Sequence, residues 1–579
     1  MALLVQSSVS ERLKAPRVRL LQPLLPLCVF AAVFVVFLPS LDGQFLNWDD
    51  DFNFLLNQEF RGLGWAQLRW MWTATFMGHY IPLTWMSLGL NYMLGGMNPW
   101  GYHLGNVLIH AMNAAIFYFI ARRLLAAAGF SDGPSLLWSA AFAALVFGVH
   151  PLRAESVAWV TERRDVLCGF FFLLSVLAYL VSLDPGARRG ARLTSIVAFA
   201  AALLCKAQAV PLPAALLILD MYPLRRLRAG WRPLLIEKLP YFALALTCGV
   251  GAIIAARNGA GFTPYAQHGP SARLAMTAYG IIFYPWKWLW PTNLSPLYEL
   301  PVRIELLSSR FLIPLIATAL ITGLLVALRR QWPAGLAAWA YSAAMVLPVV
   351  GPLHAGNQLA HDRYSYLSGL GFAALAGGGL ACVLWAAARG TLSPLVSRVS
   401  LAGAALVLLG LGSATWVQAS GWRDSESLWS WAVETDPECA ICLNNLALSL
   451  TDQNRTHEAE AALRRSLALR ELAITRNNLG GVLEMEGRPD EAEREYQQAL
   501  RLKPDLRQAL ANLGELYVKQ GRYNDALPPL RRVFQSSPEL PRLRANLSRA
   551  LRERGDELAR TGSVAEAEAL RQEASRIQP

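Results

Sequence analysis

Apolar residues fill the first 420 positions of the chain in long blocks, and the blocks stop there. A bilayer's hydrocarbon core is about 30 Å thick and takes roughly 20 apolar residues per helix. Eleven blocks meet that requirement or come close to it: 20–41, 102–121, 136–150, 166–183, 193–205, 208–221, 239–256, 311–328, 334–350, 367–388 and 400–418. The fifth and sixth are short and lie near Pro211 and Pro213, which predicts broken helices there. The stretch 273–291 is also apolar but carries Lys287, two prolines and three tryptophans. Trp and Lys favour the membrane–water boundary, so this stretch reads as an interfacial helix.

Beyond position 420 a period replaces the blocks. Leu446, Leu479, Leu513 and Leu547 are 33, 34 and 34 residues apart, and Ala459, Ala492 and Ala526 each fall 13 residues after the matching leucine. Gly487-Arg488 and Gly521-Arg522 repeat at 34, as do Pro504 and Pro538. A small residue on each helix of a pair allows close packing, and the Gly-Arg turn reverses the chain. This is the period and pattern of tetratricopeptide helix pairs. Three full repeats are predicted, with a half-repeat around Trp422–Glu434 before them and an irregular unit after Arg544. Stacked pairs make a concave groove suited to a peptide or another helix. The predicted fold is all-α. Residues 1–420 form a polytopic membrane helix bundle with outer loops, and 421–579 an α-solenoid.

Composition sharpens that division. Only 16% of residues are charged and 54% are hydrophobic, against about 25% charged in soluble chains. A disordered protein is excluded. Residues 421–579 hold 23 basic and 25 acidic side chains, and 1–420 hold 30 and 16. The net charge of +12 therefore belongs to the membrane part and does not signal nucleic acid. Segments on one side of the spans carry 18 basic residues against 5 acidic, among them Glu11, Arg12 and Lys14; the opposite side carries 12 against 11. The positive-inside rule then places the N-terminus in the cytoplasm. Eleven spans put the repeats outside it. The first span is too long for a signal peptide and lacks a cleavage site, so it reads as an anchor. The Ala-, Leu- and Arg-rich composition points to a bacterial inner membrane, with the repeats periplasmic or extracellular.

Five cysteines lie in or beside spans and read as packing residues. Cys439 and Cys442 form a C-x-x-C with no following His and no second pair, which argues against haem and zinc. A local disulfide and two packed thiols both fit that pair.

Candidate chemistry clusters in the outer loops. Asn47-Trp48-Asp49-Asp50-Asp51 follows the first span. Adjacent carboxylates repel one another, and repulsion with partial burial raises a pKa, as a general base requires. A divalent cation held by Asp49 and Asp50 would also relieve the repulsion, and it is the only cofactor candidate. The loop continues through Trp65, Trp70, Trp72, His79, Tyr80 and Trp85, an aromatic surface fit to lie on a bilayer. The loop after the third span carries His150, Arg153, Glu155, Glu162, Arg163, Arg164 and Asp165, and His361-Asp362-Arg363-Tyr364 precedes the tenth. Paired arginines beside lipid are natural phosphate binders. Ionisable residues at membrane depth are functional candidates by default, Lys206 among them.

Six motifs together resemble one known family. They are N-W-D-D-D (Asn47–Asp51), H-Y-x-P-L-T-W (His79–Trp85), N-P-x-G-Y-H-L-x-N (Asn98–Asn106), H-P-x-x-x-E-S-V-A-W-V-x-E-R-x-D-V-L (His150–Leu167), W-P-x-N-L (Trp290–Leu294) and D-R-Y-x-Y-L (Asp362–Leu367). They look like bacterial relatives of the transmembrane and tetratricopeptide-repeat-containing O-mannosyltransferases, of the GT-C fold. The resemblance implies transfer of a sugar from a polyprenyl-phosphate donor to a hydroxyl of an extracytoplasmic acceptor, with inversion. Protein Ser/Thr is the implied acceptor, recruited by the repeat groove. It makes Asp49 or Asp50 the base, with Asp51 an extra carboxylate. It gives Arg163, Arg164, Arg363 and Lys206 to the donor phosphate. His79, Tyr80, His150, Glu155, Asp165, Asp362 and Tyr364 would line the pocket. One departure is that Lys206 is followed by Ala207, where bacterial relatives usually carry Lys-Pro. The competing reading is a non-catalytic, membrane-anchored scaffold that binds proteins through its repeats. A flippase would need a polar path or inverted repeats, and neither is visible.

Overall fold

The structure, a computed structural model, describes residues 16–186, 188–258, 268–351, 356–538 and 540–577. Glu11, Arg12 and Lys14 lie outside the described residues. The chain divides into two compact units, Met1–Trp431 and Ala432–Pro579.

Each of the eleven apolar blocks coincides with a helix. Six of these helices are long and apolar enough to cross a membrane: Pro99–Ala127, Val160–Val181, Trp231–Ala255, Ser309–Ala327, Leu370–Ala388 and Pro394–Ser420. Pro134–Gly148 and Pro151–Ala158 make a seventh, bent by 55°, and Gln22–Val36 and Ala207–Met221 are shorter apolar helices. The first unit is thus a multi-pass membrane bundle. The 273–291 stretch is helical over Pro270–Leu289, with Trp286 and Leu289 60% and 69% exposed. The predicted break near Pro211 begins earlier. The Arg189–Cys205 helix stops at Lys206, whose backbone is extended, and a short turn leads to Leu212–Met221.

The bundle core also holds polar side chains, and several of them pair with residues distant in sequence. The Tyr366 hydroxyl accepts from Asn113 Nδ2 at 2.8 Å and lies 2.8 Å from His110 Nδ1. His110 Nε2 faces the Gly148 carbonyl at 2.9 Å, so Nε2 carries the hydrogen and Nδ1 accepts from Tyr366. Elsewhere Lys238 and Arg226 converge on Asp220, Glu237 and the Tyr179 hydroxyl, all within 3.1 Å. Two basic residues counted above as an orientation signal are therefore locked in an ion knot. Not every cysteine packs inward. Cys168 and Cys205 are buried, whereas Cys28 and Cys382 are exposed on helices whose outer surfaces are themselves apolar.

In the second unit the helix pairs are Ala440–Asp452 with Thr456–Leu469, Ala473–Met485 with Pro489–Leu502, and Arg507–Lys519 with Tyr523–Ser536. The last pair is longer, Pro541–Arg560 with Val564–Ile577. Ala459, Ala492, Ala526, Leu479 and Leu547 are fully buried, as their period requires. Gly487 and Gly521 turn the chain at φ 73° and 74°, and Asn454, one period earlier, adopts the same left-handed turn at φ 60°. Asparagine is among the few side chains that tolerate this region. Cys439 and Cys442 are disulfide-bonded.

His457, Glu460 and Glu486 bring potential metal-ligand atoms within 4.8 Å of one another. Arg488 already donates to both carboxylates at 2.8 and 2.9 Å, and Arg464 holds the other Glu460 oxygen.

Close packing in the repeats is set by small residues. A Cβ on Gly480 would lie 2.6 Å from the buried Tyr496 ring. Gly480→Val is therefore expected to destabilise the second unit by about 1–3 kcal/mol. Limited proteolysis should show faster cleavage within 432–577 and an unchanged bundle.

Candidate active site

Every residue from His150 to Asp165 is buried, although the segment carries six charged side chains and a histidine. Buried charges must be paired. Pairing shapes the segment. It runs through the turn Pro151–Arg153, the short helix Ala154–Ala158 and the turn Val160–Glu162 into the helix Arg163–Val181.

Glu162 is the hub. Arg164 donates to its two oxygens at 2.7 and 3.2 Å, Lys206 Nζ lies at 2.8 Å and Arg363 Nε at 3.2 Å. Lys206 also donates to Asp165 at 2.6 Å, and Asp165 accepts from Ser156 at 3.1 Å. The backbone N–H of Arg363 donates to Glu155 at 2.8 Å, and its Nη1 bonds the other Glu155 oxygen. The helix break at Lys206 is what delivers its ammonium to two carboxylates on another helix. Arg164, Lys206 and Arg363 keep 9%, 14% and 10% of their side-chain surface exposed, while Glu162 keeps none. The cations thus keep a little exposed surface that the carboxylate lacks. Lys206 uses two of its three N–H groups, and among the described residues no partner is recorded for Arg164 Nη1 or Arg363 Nη2.

The acidic triplet separates into three roles. Asp50 is fully buried. It accepts from Leu46 N at 3.0 Å, Thr161 N at 3.1 Å and the Thr161 hydroxyl at 2.5 Å. Burial pushes its carboxyl up to about 7, against those hydrogen bonds. Asp51 turns back to Phe52 N at 2.9 Å and opens a short helical turn. Asp49 is half-buried, sits in the left-handed region at φ 61°, and has no recorded hydrogen bond to its carboxylate among the described residues. Burial raises its pKa; Arg164 and Arg363 pull it down and Glu162 opposes them. Asp49 is therefore within electrostatic reach of two of the cations. His79 is exposed, and desolvation by the neighbouring protein, then Arg164 and Lys206, lower its imidazole pKa below the ordinary value.

Other predicted site residues lie elsewhere. Arg163 is 2% exposed and engaged at every nitrogen, by Asn106, Ser87, Asn91 and the Tyr102 carbonyl. It ties the Arg163–Val181 helix to Pro82–Gly95 and Pro99–Ala127 and does not join the cluster. His150 caps its own turn and stacks on Trp288 at 5.7 Å. Asp362 accepts from Tyr298 at 3.0 Å, and burial raises its pKa well above the usual range. Tyr80 donates to the Trp72 carbonyl at 3.1 Å. The Tyr364 ring lies beside the Arg363 guanidinium at 5.1 Å. The sequence reading left Glu162 out of the candidate set, although it stands inside the motif that carried Arg163 and Arg164.

A divalent cation does not fit the Asp49–Asp50 pair as it stands. Three protein donors occupy Asp50, and two guanidiniums already act on Asp49.

Tetratricopeptide-repeat family models match residues 439–473 and 471–539. The chain is 32% identical over 205 residues to the human protein O-mannosyl-transferase TMTC4, covering 32% of this chain and 27% of that protein. It is 43% identical over 101 residues to the mouse protein O-mannosyl-transferase TMTC2, covering 17% and 11%. It is 32% identical over 220 residues to the Drosophila melanogaster protein O-mannosyl-transferase Tmtc2, covering 35% and 22%. The matches thus span about a quarter or less of these relatives' own length. Among solved structures it is similar to MamA (20% identity, 26% of this chain and 85% of that one, TM-score 0.22) and to YrrB, a tetratricopeptide-repeat protein (21%, 27% and 76%, TM-score 0.22).

Asp50 generates a pH prediction. Its folded pKa lies above the ordinary 3.8, so the folded state binds the extra proton between about 4 and 7. That contribution is fully present below the unfolded value and is lost as pH rises through 7. Thermal unfolding of wild type and Asp50→Asn at pH 5 and pH 8 should therefore shift relative stability towards the variant at the higher pH. Arg163→Met should lower the unfolding midpoint at both, because it leaves buried acceptors such as the Asn106 side-chain oxygen and the Tyr102 carbonyl without a donor, at about 1–3 kcal/mol each.

Proposed function

We propose that the chain is an integral-membrane glycosyltransferase of the GT-C type. It moves a hexose, mannose by the naming of its relatives, from a polyprenyl-phosphate donor to a hydroxyl of an extracytoplasmic acceptor, with inversion. One observation carries this reading: a half-buried carboxylate without a recorded hydrogen bond, Asp49, feels the charge of Arg164 and Arg363, two cations that with Lys206 form a cluster keeping unused N–H groups. A reaction that takes a proton from a hydroxyl and leaves a phosphate behind needs that pair of features.

Asp49 removes the proton from the acceptor hydroxyl. The oxygen attacks the anomeric carbon, the bond from that carbon to the phosphate oxygen breaks, and polyprenyl phosphate departs. Charge grows on the departing phosphate, where Arg164, Lys206 and Arg363 supply fixed donors. Glu162, Glu155 and Asp165 hold those cations still. Asp50 is the anchor of the loop and not the base. His79, uncharged at neutral pH, remains available for a sugar hydroxyl. The bundle is the catalytic domain, and the repeat domain recruits a protein or peptide acceptor. Both face the outside of a bacterial inner membrane, with the N-terminus cytoplasmic.

The names of the similar proteins support the reaction class. The test is transfer by the purified full chain from a synthetic polyprenyl-phosphate mannose to a Ser/Thr peptide. Asp49→Asn should lower kcat by roughly 10²–10⁴, the usual contribution of a general base. Arg363→Gln should lower both kcat and donor affinity. Undiminished transfer by Asp49→Asn would remove the base assignment.

A further inference from the structure

The segment that joins the last span to the repeats returns to the first outer loop. Past the end of the Pro394–Ser420 helix, the Arg423 carbonyl accepts from Gln44 N at 2.7 Å, and the Ser425 hydroxyl accepts from Asn47 N at 2.9 Å. Trp429 Nε1 donates to the Asn47 side-chain oxygen at 2.7 Å. The Trp48 ring sits among three more tryptophans, stacked on Trp159 at 4.7 Å and lying 4.9 Å from Trp429 and 6.4 Å from Trp422. Trp422 and Trp429 are 2% and 0% exposed. Trp431 Nε1 reaches the Leu294 carbonyl at 3.1 Å, which ties the same segment to a second outer loop.

Asn47 and Trp48 are thus gripped at a backbone N–H, a side-chain amide and a ring. The next residue is Asp49, at φ 61°. A side chain stays in that region only when its surroundings impose it. The grip is upstream, from Gly421–Trp431; Asp50, pinned to Thr161, is the grip downstream. Asp49 lies between the two, its own carbonyl accepting from Asn53 N at 2.8 Å.

We propose that Ser425 and Trp429 are positioning residues for Asp49, and that the Trp48 cage is how the segment entering the repeat array sets the geometry of the site. This rests on the reading of Asp49 as the base. The Trp429–Asn47 hydrogen bond and the Ser425–Asn47 hydrogen bond place the backbone before Asp49. They touch no reacting atom.

The test uses the full chain. Trp429→Phe and Asn47→Ala should each lower kcat roughly ten- to a hundredfold with donor KM unchanged, the scale of a small misplacement. The double variant should lose no more than the worse single one, because both remove the same hydrogen bond. Ser425→Thr, which keeps the hydroxyl, should retain most of the kcat that Ser425→Ala loses. A second readout needs no transfer. In an Asp49→Cys background, the rate of modification by a membrane-impermeant thiol reagent, above that of the native thiols, should change several-fold on Trp429→Phe. Multiplying losses in the double variant, or an unchanged thiol rate, would overturn the proposal. If wild type transfers no sugar, the reading of the base fails, and the thiol rate alone decides the positioning.

Discussion

A carboxylate that stays ionised wholly out of water needs charged donors in place of the water, and Glu162 takes three. Arg164 comes from two residues ahead, Lys206 from a helix break, and Arg363 from the turn before the Leu370–Ala388 helix. No one of these segments holds its charge alone at that depth. Each must arrive for the others to be tolerated, so the Glu162 requirement fixes the mutual position of three parts of the bundle. The break at Lys206 is explained by the same demand. Two carboxylates waiting at 2.8 and 2.6 Å hold the ammonium where an unbroken helix would not bring it.

The large architecture was legible because it is written in periods. Blocks of about 20 apolar residues, and a 33–34-residue repeat of Leu, Ala and Gly-Arg, each force one arrangement. The site was legible as a neighbourhood and not residue by residue. Arg163 and Arg164 are chemically the same and adjacent in sequence. Successive residues on a helix point about 100° apart, so one enters a pocket of Asn106, Ser87 and Asn91 and the other faces Glu162. Only the three-dimensional partners separate them. Asp49, Asp50 and Asp51 are another such run. A single positive φ divides a half-buried carboxylate from one anchored to Thr161. Glu162 escaped because a lone glutamate in a charged loop carries no spacing signal.

The charge balance also reads differently in three dimensions. The basic excess of the membrane part includes Arg226 and Lys238, which are held by Asp220, Glu237 and Tyr179. The nearly neutral outer loops contain the cluster in which cations and carboxylates are interleaved. A count along the chain cannot separate charges that face water from charges that cancel inside the protein.

How far that cancellation goes decides what the cluster can bind. If every N–H of Arg164, Lys206 and Arg363 were taken by Glu155, Glu162 and Asp165, a phosphate would have to displace a carboxylate to enter. If the carboxylates were absent, the three cations would repel one another and splay. The observed state lies between these. The carboxylates fix the cations, and some N–H groups keep no recorded protein partner among the described residues. Such donors are already oriented before any anion arrives, so little reorganisation is needed as charge develops. Asp49 completes the arrangement by feeling the charge of Arg164 and Arg363 without being consumed by them. A full salt bridge to Arg164 or Arg363 would hold it ionised and make it a poor proton acceptor; burial offsets that pull and raises its pKa. On the proposed reading, the base and the phosphate site are one electrostatic unit. The position of Asp49, set from both sides along the chain, is the variable on which that unit turns.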